Sequence, residues 1–225
     1  MTLAPLTGGV LVGGASSRMG RPKSLLRVGE RTFVEHVVNV LRRRCPRVCL
    51  LGAWPPQLAT DARVVADARN ADAASDAEQT EDVDVDVALA GTECIRDAPG
   101  IRGPLAGVLG ALRAAPHSAW LIAAVDLPLL RVAALDWLLA QRDPDAIAII
   151  PRMTPEFVEP LLAVYERAAL AAVEPLARDA ARGLQPLAKH ARVLTPTPPP
   201  DLAPCWTNIN TPAEYQAMRD SIRPR

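Results

Sequence analysis

The chain has 225 residues, which fits one good-sized domain, and 49% of them are hydrophobic, enough to fill a core. No apolar run approaches the ~20 residues that a membrane-spanning helix needs, and the N-terminus lacks the pattern of a signal peptide, so we expect a cytoplasmic protein with no membrane partner. The formal net charge of zero and the lack of clustered basic runs argue against a nucleic-acid partner.

The N-terminal part of the chain alternates between strand and helix patterns. Thr7–Gly13 predicts a short buried strand, and Arg47–Gly52 predicts a second one. Between them, Thr32–Cys45 has helical periodicity, and Thr32 with Glu35 three residues on forms a capping box.

An acidic segment at residues 66–91 interrupts this alternation. It holds eight acidic residues against one basic residue, which leaves a net charge of +7 on the rest of the chain. Because it has few large apolar side chains, it predicts a solvated or flexible insertion, with an edge strand through Val83, Val85 and Val87 as the alternative. We therefore expect a single domain over residues 1–225 that contains this insertion and a mildly basic body suited to small anions.

Beyond the insertion the alternation resumes. Further strands are predicted at Thr92–Asp97, Ala119–Val125, Ala146–Ile150, Val158–Tyr165 and Cys205–Ile209. Further helices are predicted at Gly103–Ala115, Val132–Arg142 and near Glu166–Arg182, and a last one starts at Thr211-Pro212. This order predicts an α/β fold, a Rossmann-like, mainly parallel sheet with helices on both faces. Ligands of such sheets bind at the carboxyl ends of the strands.

The strongest functional motif follows the first strand. Residues 11–23 read Leu-Val-Gly-Gly-Ala-Ser-Ser-Arg-Met-Gly-Arg-Pro-Lys. The glycines Gly13 and Gly14 allow backbone N–H groups to approach a phosphate, and Arg18 and Lys23 add positive charge against a polyphosphate. Lys23 is one of only two lysines beside 23 arginines, which favours a role for a compact ammonium. The spacing is neither a Walker A loop nor a Gly-x-Gly-x-x-Gly fingerprint, and an ordinary surface turn is the alternative.

Asp126 ends the strongly apolar strand Ala119–Val125. A carboxylate at the carboxyl end of a parallel strand is a natural position for Mg²⁺, which takes one or two carboxylates and completes its octahedron with water and phosphates. The alternative is a helix N-cap for the segment that follows, which Pro128 mildly supports.

Asn208 and Asn210 alternate on the last predicted strand, so we expect both side chains to point the same way. The capping box of Thr211 and Glu214 explains the residues that follow but leaves the two asparagines unexplained. Neutral oxygen donors beside a metal ion or a nucleotide would explain them.

Three weaker signals complete the survey. The Arg-Gly-Pro-Leu-Ala-Gly segment at residues 102–107 begins a helix and has little side-chain bulk. The N-terminus of this helix is suited to an anion, and close packing of the helix explains the small residues equally well. Asp97 is a polar contact or a plain loop acid. The three histidines and four cysteines show no catalytic or metal-binding spacing, so free thiols and no histidine role are expected.

Together these segments resemble the molybdenum cofactor guanylyltransferase family, within the MobA-like nucleotidyltransferases. The motifs Leu-x-Gly-Gly-x-Ser-x-Arg-Met-Gly-x-x-Lys, Gly-Pro-Leu-Ala-Gly, Asp-x-Pro, Pro-Leu-x-Ala-Val-Tyr and Asn-x-Asn-Thr-Pro occur in the family's order between residues 11 and 215. The resemblance implies a fold of the nucleotide-diphospho-sugar transferase type and transfer of GMP from GTP to the terminal phosphate of molybdopterin, with Mg²⁺ as cofactor. It also implies other proteins of cofactor biosynthesis as possible partners.

The resemblance also implies roles for individual residues. Contacts to the guanine nucleotide are implied for Leu11, Gly13, Gly14 and Asp97, and contacts to its phosphates for Lys23. Mg²⁺ binding is implied for Asp126 and Asn210, with Asn208 nearby, and, independently of the resemblance, the charge of Arg18 adds a further phosphate contact. Val12 stands where the family usually has Ala, and the length of the loop before Lys23 does not decide between GTP and CTP. A cytidylyltransferase or other small-molecule nucleotidyltransferase of the same fold is therefore one alternative, and a non-catalytic nucleotide-binding protein is another. The functional interpretation requires Lys23 and Asp126 to lie close enough to contact the same triphosphate.

Overall fold

The strand β1 (Leu6–Leu11) lies at the centre of the computed structural model, which describes residues 3–13, 22–52, 63–65, 89, 91–178 and 183–221. It pairs in parallel with β4 (Arg47–Leu51) on one side and with β7 (Ala119–Ala124) on the other. All six residues of β7 are buried, as expected for a parallel strand covered on both faces. The register places Leu11 opposite both Leu51 and Ala124, so the three strands end at the same edge.

The main sheet has eight strands in the described part of the chain, in the order β10-β8-β9-β7-β1-β4-β6-β5. The outer strands are β5 (Arg63–Val65), β6 (Glu93–Ile95), β8 (Ala148–Ile149), β9 (Leu162–Tyr165) and β10 (Val193–Leu194). Only β9 runs antiparallel to its neighbours, so the prediction of a mainly parallel sheet is confirmed. A separate two-stranded hairpin pairs β2 (Arg27–Val28) with β3 (Arg31–Thr32).

Helices cover both faces of the sheet, as predicted. The helices are α1 (Phe33–Arg42), α2 (Pro104–Ala114), α3 (Val132–Ala140), α4 (Ala169–Val173) and α5 (Pro212–Ser221). One core cluster combines α1 and α3 with one face of the sheet, and a second combines α2 and α4 with the other face. The predicted capping box at the start of α1 is present, with the Thr32 side chain accepting from the Glu35 backbone and the Glu35 carboxylate accepting from the Thr32 N–H at 2.6 Å.

Several predicted elements differ from the structure, and the strand predicted at Val158–Tyr165 is observed only as β9. The predicted strand Cys205–Ile209 is wrong, because Ala203–Trp206 forms a 3₁₀ turn and residues 207–210 are irregular. Pro204 favours the start of such a turn, and the Cys205 N–H closes it on the Leu202 carbonyl.

The helix predicted near Glu166–Arg182 is shorter than expected. Up to residue 178 it consists of α4 followed by a 3₁₀ turn over Glu174–Arg178, since Pro175 lacks the N–H that an α-helix interior needs, and residues 179–182 lie outside the described part.

The predicted acidic insertion lies almost wholly outside the described residues, as do Val83, Val85 and Val87. Of its residues, Leu89 and Gly91 are described, and Leu89 packs into the first core cluster with 5% of its surface exposed. The prediction of a solvated insertion within a single domain therefore remains a prediction.

Candidate active site

A pocket of about 470 Å³ opens at the carboxyl ends of β1, β4 and β7. This is the edge at which parallel sheets bind ligands, because the strand ends and the loops after them converge there. The residues that line it come from these ends and from the start of α2, and they are Leu11, Val12, Gly13, Lys23, Leu51, Gly52, Asp97, Gly103, Pro104, Ala124, Val125, Asp126 and Leu161. Five of the predicted site residues are among them.

Lys23, Asp126 and Asn210 meet at this pocket. The Lys23 Nζ donates to the Asp126 Oδ2 at 2.7 Å and to the Asn210 Oδ1 at 2.6 Å. The side chains of Lys23 and Asp126 are only 18% and 16% exposed, so this ion pair lies in a partly desolvated cleft where charge interactions are stronger than in water. The required convergence of Lys23 and Asp126 is therefore present, and Asn210 joins them from the far end of the chain.

Local structure explains how each of these side chains is positioned. Lys23 opens a 3₁₀ turn over Lys23–Leu25 that is anchored by the buried Leu26. Asp126 lies two residues after the end of β7, and its carbonyl accepts from the Ile209 N–H at 3.0 Å. The alternative of a helix N-cap is wrong for Asp126, because the next helix, α3, begins at Val132 with Arg131 as its N-cap.

Asp97 borders the same pocket from the loop after β6. A Cβ placed on Gly52 or on Gly107 would lie 3.3 Å or 3.4 Å from its Oδ1, and a Cβ on Gly107 would lie 2.4 Å from the Leu11 Cδ2. Glycine at these positions thus leaves room for the Asp97 carboxylate and for Leu11. Asp97 remains accessible to solvent, yet partial burial raises its pKa above the ordinary value.

The structure describes only part of the glycine-rich motif at residues 11–23. Leu11 and Gly13 line the pocket, and the Val12 N–H donates to the Leu51 carbonyl at 3.0 Å. Gly14 and Arg18 lie outside the described residues. Gly103 and Pro104 line the pocket at the start of α2, whereas Gly110 packs so closely that a Cβ there would lie 2.4 Å from the Arg96 carbonyl oxygen. Close packing is present within the segment itself, at Gly107 against Leu11, while binding of an anion by the start of α2 stays a prediction.

Asn208 does not share the position of Asn210. Its Nδ2 donates to the Glu159 Oε2 at 3.3 Å, while Asn210 contacts Lys23. The two asparagines therefore have different partners, and the strand on which their common direction was predicted is absent, because residues 207–210 are irregular.

Glu159 was missed by the sequence analysis. Glu159 is 4% exposed and stands directly before the Pro-Leu-x-Ala-Val-Tyr motif. Its position next to this motif is the feature of the sequence that could have identified it. Burial raises the pKa of Glu159, hydrogen bonds from Leu161 and Asn208 oppose this, and the charge of Asp126 raises it further. A buried carboxyl with a raised pKa beside a pocket is a candidate for a functional role.

The described residues contain no group of three or more acidic, histidine or cysteine side chains that could hold a metal ion by itself. One carboxylate and one amide oxygen, from Asp126 and Asn210, converge on the Lys23 ammonium. Such a sparse set suits an ion that takes most of its ligands from water and phosphates.

The family model described as the MobA-like NTP transferase domain matches residues 8–194, most of the chain. The chain belongs to the MobA-like NTP transferase family. It is therefore a nucleotidyltransferase, and the pocket of this MobA-like chain is its candidate active site. No helix that the structure describes is both long and apolar enough to cross a bilayer.

Known proteins agree with this membership. A protein of Carboxydothermus hydrogenoformans named probable molybdenum cofactor guanylyltransferase is 29% identical over 218 residues, covering 95% of this chain and 94% of its own. The solved molybdopterin-guanine dinucleotide biosynthesis protein A of Archaeoglobus fulgidus has a TM-score of 0.66 at 21% identity, covering 96% of this chain and 97% of that one. A Mycobacterium tuberculosis protein solved in complex with manganese has a TM-score of 0.57 at 17% identity, covering 97% and 100%. The two structures show that the MobA-like fold extends over nearly the whole chain.

Proposed function

We propose that this chain transfers GMP from GTP to the terminal phosphate of molybdopterin and releases pyrophosphate. The observation that carries the proposal is the meeting of Lys23 and Asp126 in one pocket at the sheet edge, with Asn210 in contact with the same ammonium. The choice of substrates is supported by the name of the Carboxydothermus hydrogenoformans relative, which matches along almost the full length of both chains. Triphosphates such as GTP are used in the cytoplasm, which is where we place the reaction.

Asp126 and Asn210 are the residues that would hold Mg²⁺. Their oxygens lie 2.7 Å and 2.6 Å from one nitrogen, so the Lys23 ammonium already serves as a stand-in for a cation between them. Carboxylate and amide oxygens are ligands suited to Mg²⁺. The manganese complex of the Mycobacterium tuberculosis protein of the same fold supports a divalent ion here. When bound, Mg²⁺ would supply positive charge next to the α-phosphate.

Catalysis of this transfer requires mainly that the protein position the two substrates and neutralise their negative charge. A terminal phosphate oxygen of molybdopterin forms a bond to the α-phosphorus of GTP while the bond from that phosphorus to the bridging oxygen breaks, and pyrophosphate leaves with the electron pair. The attacking phosphate is already ionised at neutral pH, so no general base is needed. Lys23, with Arg18, would stabilise the negative charge that grows on the departing pyrophosphate.

The nucleotide contacts follow from the lining of the pocket. Leu11 and Gly13 would contact the guanine nucleotide at the end of β1, together with Gly14. Asp97 would accept a hydrogen bond from the nucleotide across the space that Gly52 and Gly107 leave open. We assign no direct nucleotide contact to Asn208, since its amide donates to Glu159.

Pyrophosphate release measured with purified molybdopterin and each of GTP, CTP, ATP and UTP tests the proposal. We expect release only with GTP, molybdopterin and Mg²⁺ present together. Preference for CTP would overturn the guanylyl assignment but keep the transfer reaction. Binding of a triphosphate without any pyrophosphate release would instead indicate the non-catalytic alternative.

A further inference from the structure

Glu159 is a buried acid that the proposed reaction does not use. We infer that Glu159 is a positioning residue, whose carboxylate holds the Leu161 and Asn208 segments together and so sets where Asn210 stands relative to Lys23. The inference rests on the proposed function in one respect, which is the role of Lys23 and Asn210 in the transfer reaction.

The carboxylate of Glu159 joins two segments that each bond to the chain at or near Asp126. Its Oε1 accepts from the Leu161 N–H at 2.9 Å, and its Oε2 accepts from the Asn208 Nδ2 at 3.3 Å. Leu161 lines the pocket, and its carbonyl accepts from the Ala124 N–H at 2.7 Å, just before Asp126. One side chain therefore links the wall of the pocket to the segment that carries Asn210.

The segment 208–210 is attached at each of its three residues. Asn208 donates to Glu159, the Ile209 N–H donates to the Asp126 carbonyl at 3.0 Å, and the Asn210 N–H donates to the Glu214 carboxylate at 2.6 Å. Residues 207–210 form no regular element, so these contacts fix the backbone in place of a sheet ladder or a helix. Loss of the Glu159 contact removes the attachment at Asn208, two residues before Asn210.

The polar environment supports this role. The side-chain amide of Asn208 donates to Glu159 through its Nδ2. Its Oδ1 is buried and accepts no hydrogen bond from any described residue. An ionised Glu159 can only accept, which fixes the orientation of that amide. Burial raises the pKa of Glu159, and a buried carboxyl is costly unless its oxygens accept hydrogen bonds, as both oxygens do here.

The chain itself offers a probe that needs no substrate. Lys23 and Lys189 are its only lysines, so protein labelled with ¹³C-lysine gives two sets of side-chain resonances in a nuclear magnetic resonance spectrum. Lys189→Met identifies the signal of Lys23, which reports the arrangement of Asp126 and Asn210 around its ammonium. The variants are Glu159→Ala and Glu159→Gln, together with a matched control.

Glu166→Ala is the matched control. Glu166 is 6% exposed and follows the opposite end of β9, where it pairs with Arg142 far from the pocket lining. Thermal unfolding measured on all variants separates a loss of stability from a change at the site. We expect both alanine variants to lose stability, and only the one at residue 159 to change the site.

We expect Glu159→Ala to shift the Lys23 resonance and to lower kcat/KM by at least ~10-fold, because small misplacements of reacting groups are costly. Glu159→Gln should stay within about threefold of the unaltered chain, since its oxygen can accept from Leu161 and its amide can donate to Asn208 after that side chain flips. Glu166→Ala should leave the Lys23 resonance in place. This pattern would support positioning.

Two results would overturn the inference. One is an unshifted Lys23 resonance in Glu159→Ala, and the other is a Glu159→Gln variant as impaired as Glu159→Ala, which would assign the role to the charge. If Glu159→Ala does not fold, Asn208→Ala removes the other partner and must shift the Lys23 resonance in its place. Because the resonance needs no substrate, a chain that releases no pyrophosphate would end the proposed function while leaving this test intact.

Discussion

At the residue scale, the site depends on one ammonium between two oxygens. The Lys23 ammonium contacts Asp126, 103 residues away in the chain, and Asn210, 187 residues away. This contact balances the charge of a partly buried carboxylate, which would otherwise be costly to keep out of water. It also means that a divalent ion and Lys23 would compete for the same two oxygens.

Replacing Asp126 or Lys23 with alanine should lower the rate of pyrophosphate release by at least ~10²-fold, the usual effect of losing a preorganised charge at a reaction centre. Steady-state kinetics on folded protein, verified by circular dichroism, measures this. Lys189→Ala, a change at the exposed second lysine, should react at the normal rate. Near-normal rates in both Asp126→Ala and Lys23→Ala would remove the mechanism.

Lys23→Met should bind Mn²⁺ more tightly than the unaltered chain when no nucleotide is present. The reason is that its side chain no longer places a positive charge against the Asp126 and Asn210 oxygens. Titration calorimetry with Mn²⁺ alone measures the change, with Lys189→Met as the matched control. Equal or weaker Mn²⁺ binding in Lys23→Met would show that these oxygens are not the metal site.

At the scale of elements, the hairpin β2–β3 and the helix α5 hold the two ends of the chain together. The Tyr215 hydroxyl donates to the Arg27 carbonyl at 2.9 Å, and the Phe33 ring packs edge-on against Tyr215 at 5.9 Å. The hairpin follows the turn that carries Lys23, and α5 begins just after Asn210. This docking helps to bring Lys23 and Asn210 into contact.

The packing of α1 against the segment before α3 should make stability depend on pH. His36 lies in α1 and contacts the Leu130 carbonyl through its Nε2 at 3.0 Å, and burial lowers its pKa below the ordinary 6.5. Below pH 6.5 the unfolded chain binds a proton at His36 that the folded chain resists, so the stability that this residue contributes above that pH is lost as the pH falls through the lowered pKa.

Thermal unfolding between pH 8 and pH 5 checks this expectation. His36→Gln keeps an N–H donor for the Leu130 carbonyl but does not titrate, so its melting temperature should fall less on acidification than that of the unaltered chain. Parallel curves for the two proteins would show that His36 does not contribute.

At the scale of the whole molecule, the sheet separates a reactive edge from a structural one. The pocket lies at the carboxyl ends of the parallel strands, while Arg142 and Glu166 form an ion pair at the other end of β9, with side chains 9% and 7% exposed. Arg142 also donates to the Ala4 carbonyl at 3.1 Å, so this pair ties the start of the chain to the segment after α3. The pocket and the buried Arg142–Glu166 pair thus lie at opposite edges of the sheet.

Arg142→Leu should lower the free energy of unfolding by about 3–5 kcal/mol, because it leaves Glu166 buried without its partner. Arg113→Leu, which breaks the more exposed pair with Glu174, should cost much less. Denaturant unfolding compares the two, and kcat/KM of the folded Arg142→Leu variant should be unchanged. A small loss of stability in Arg142→Leu would mean that Glu166 finds water or another partner.

Local patterns in the sequence were enough to predict the strands at the sheet centre, the α1 capping box and the candidate roles of Lys23 and Asp126, because periodicity, capping and strand ends depend on near neighbours. They were not enough to exclude the strand at Cys205–Ile209, to separate Asn208 from Asn210 or to single out Glu159. Those features depend on hydrogen bonds between residues far apart in the chain, such as Asn208 with Glu159, 49 residues away. Only the folded chain brings such partners within reach, so the tertiary structure decided the arrangement of the site.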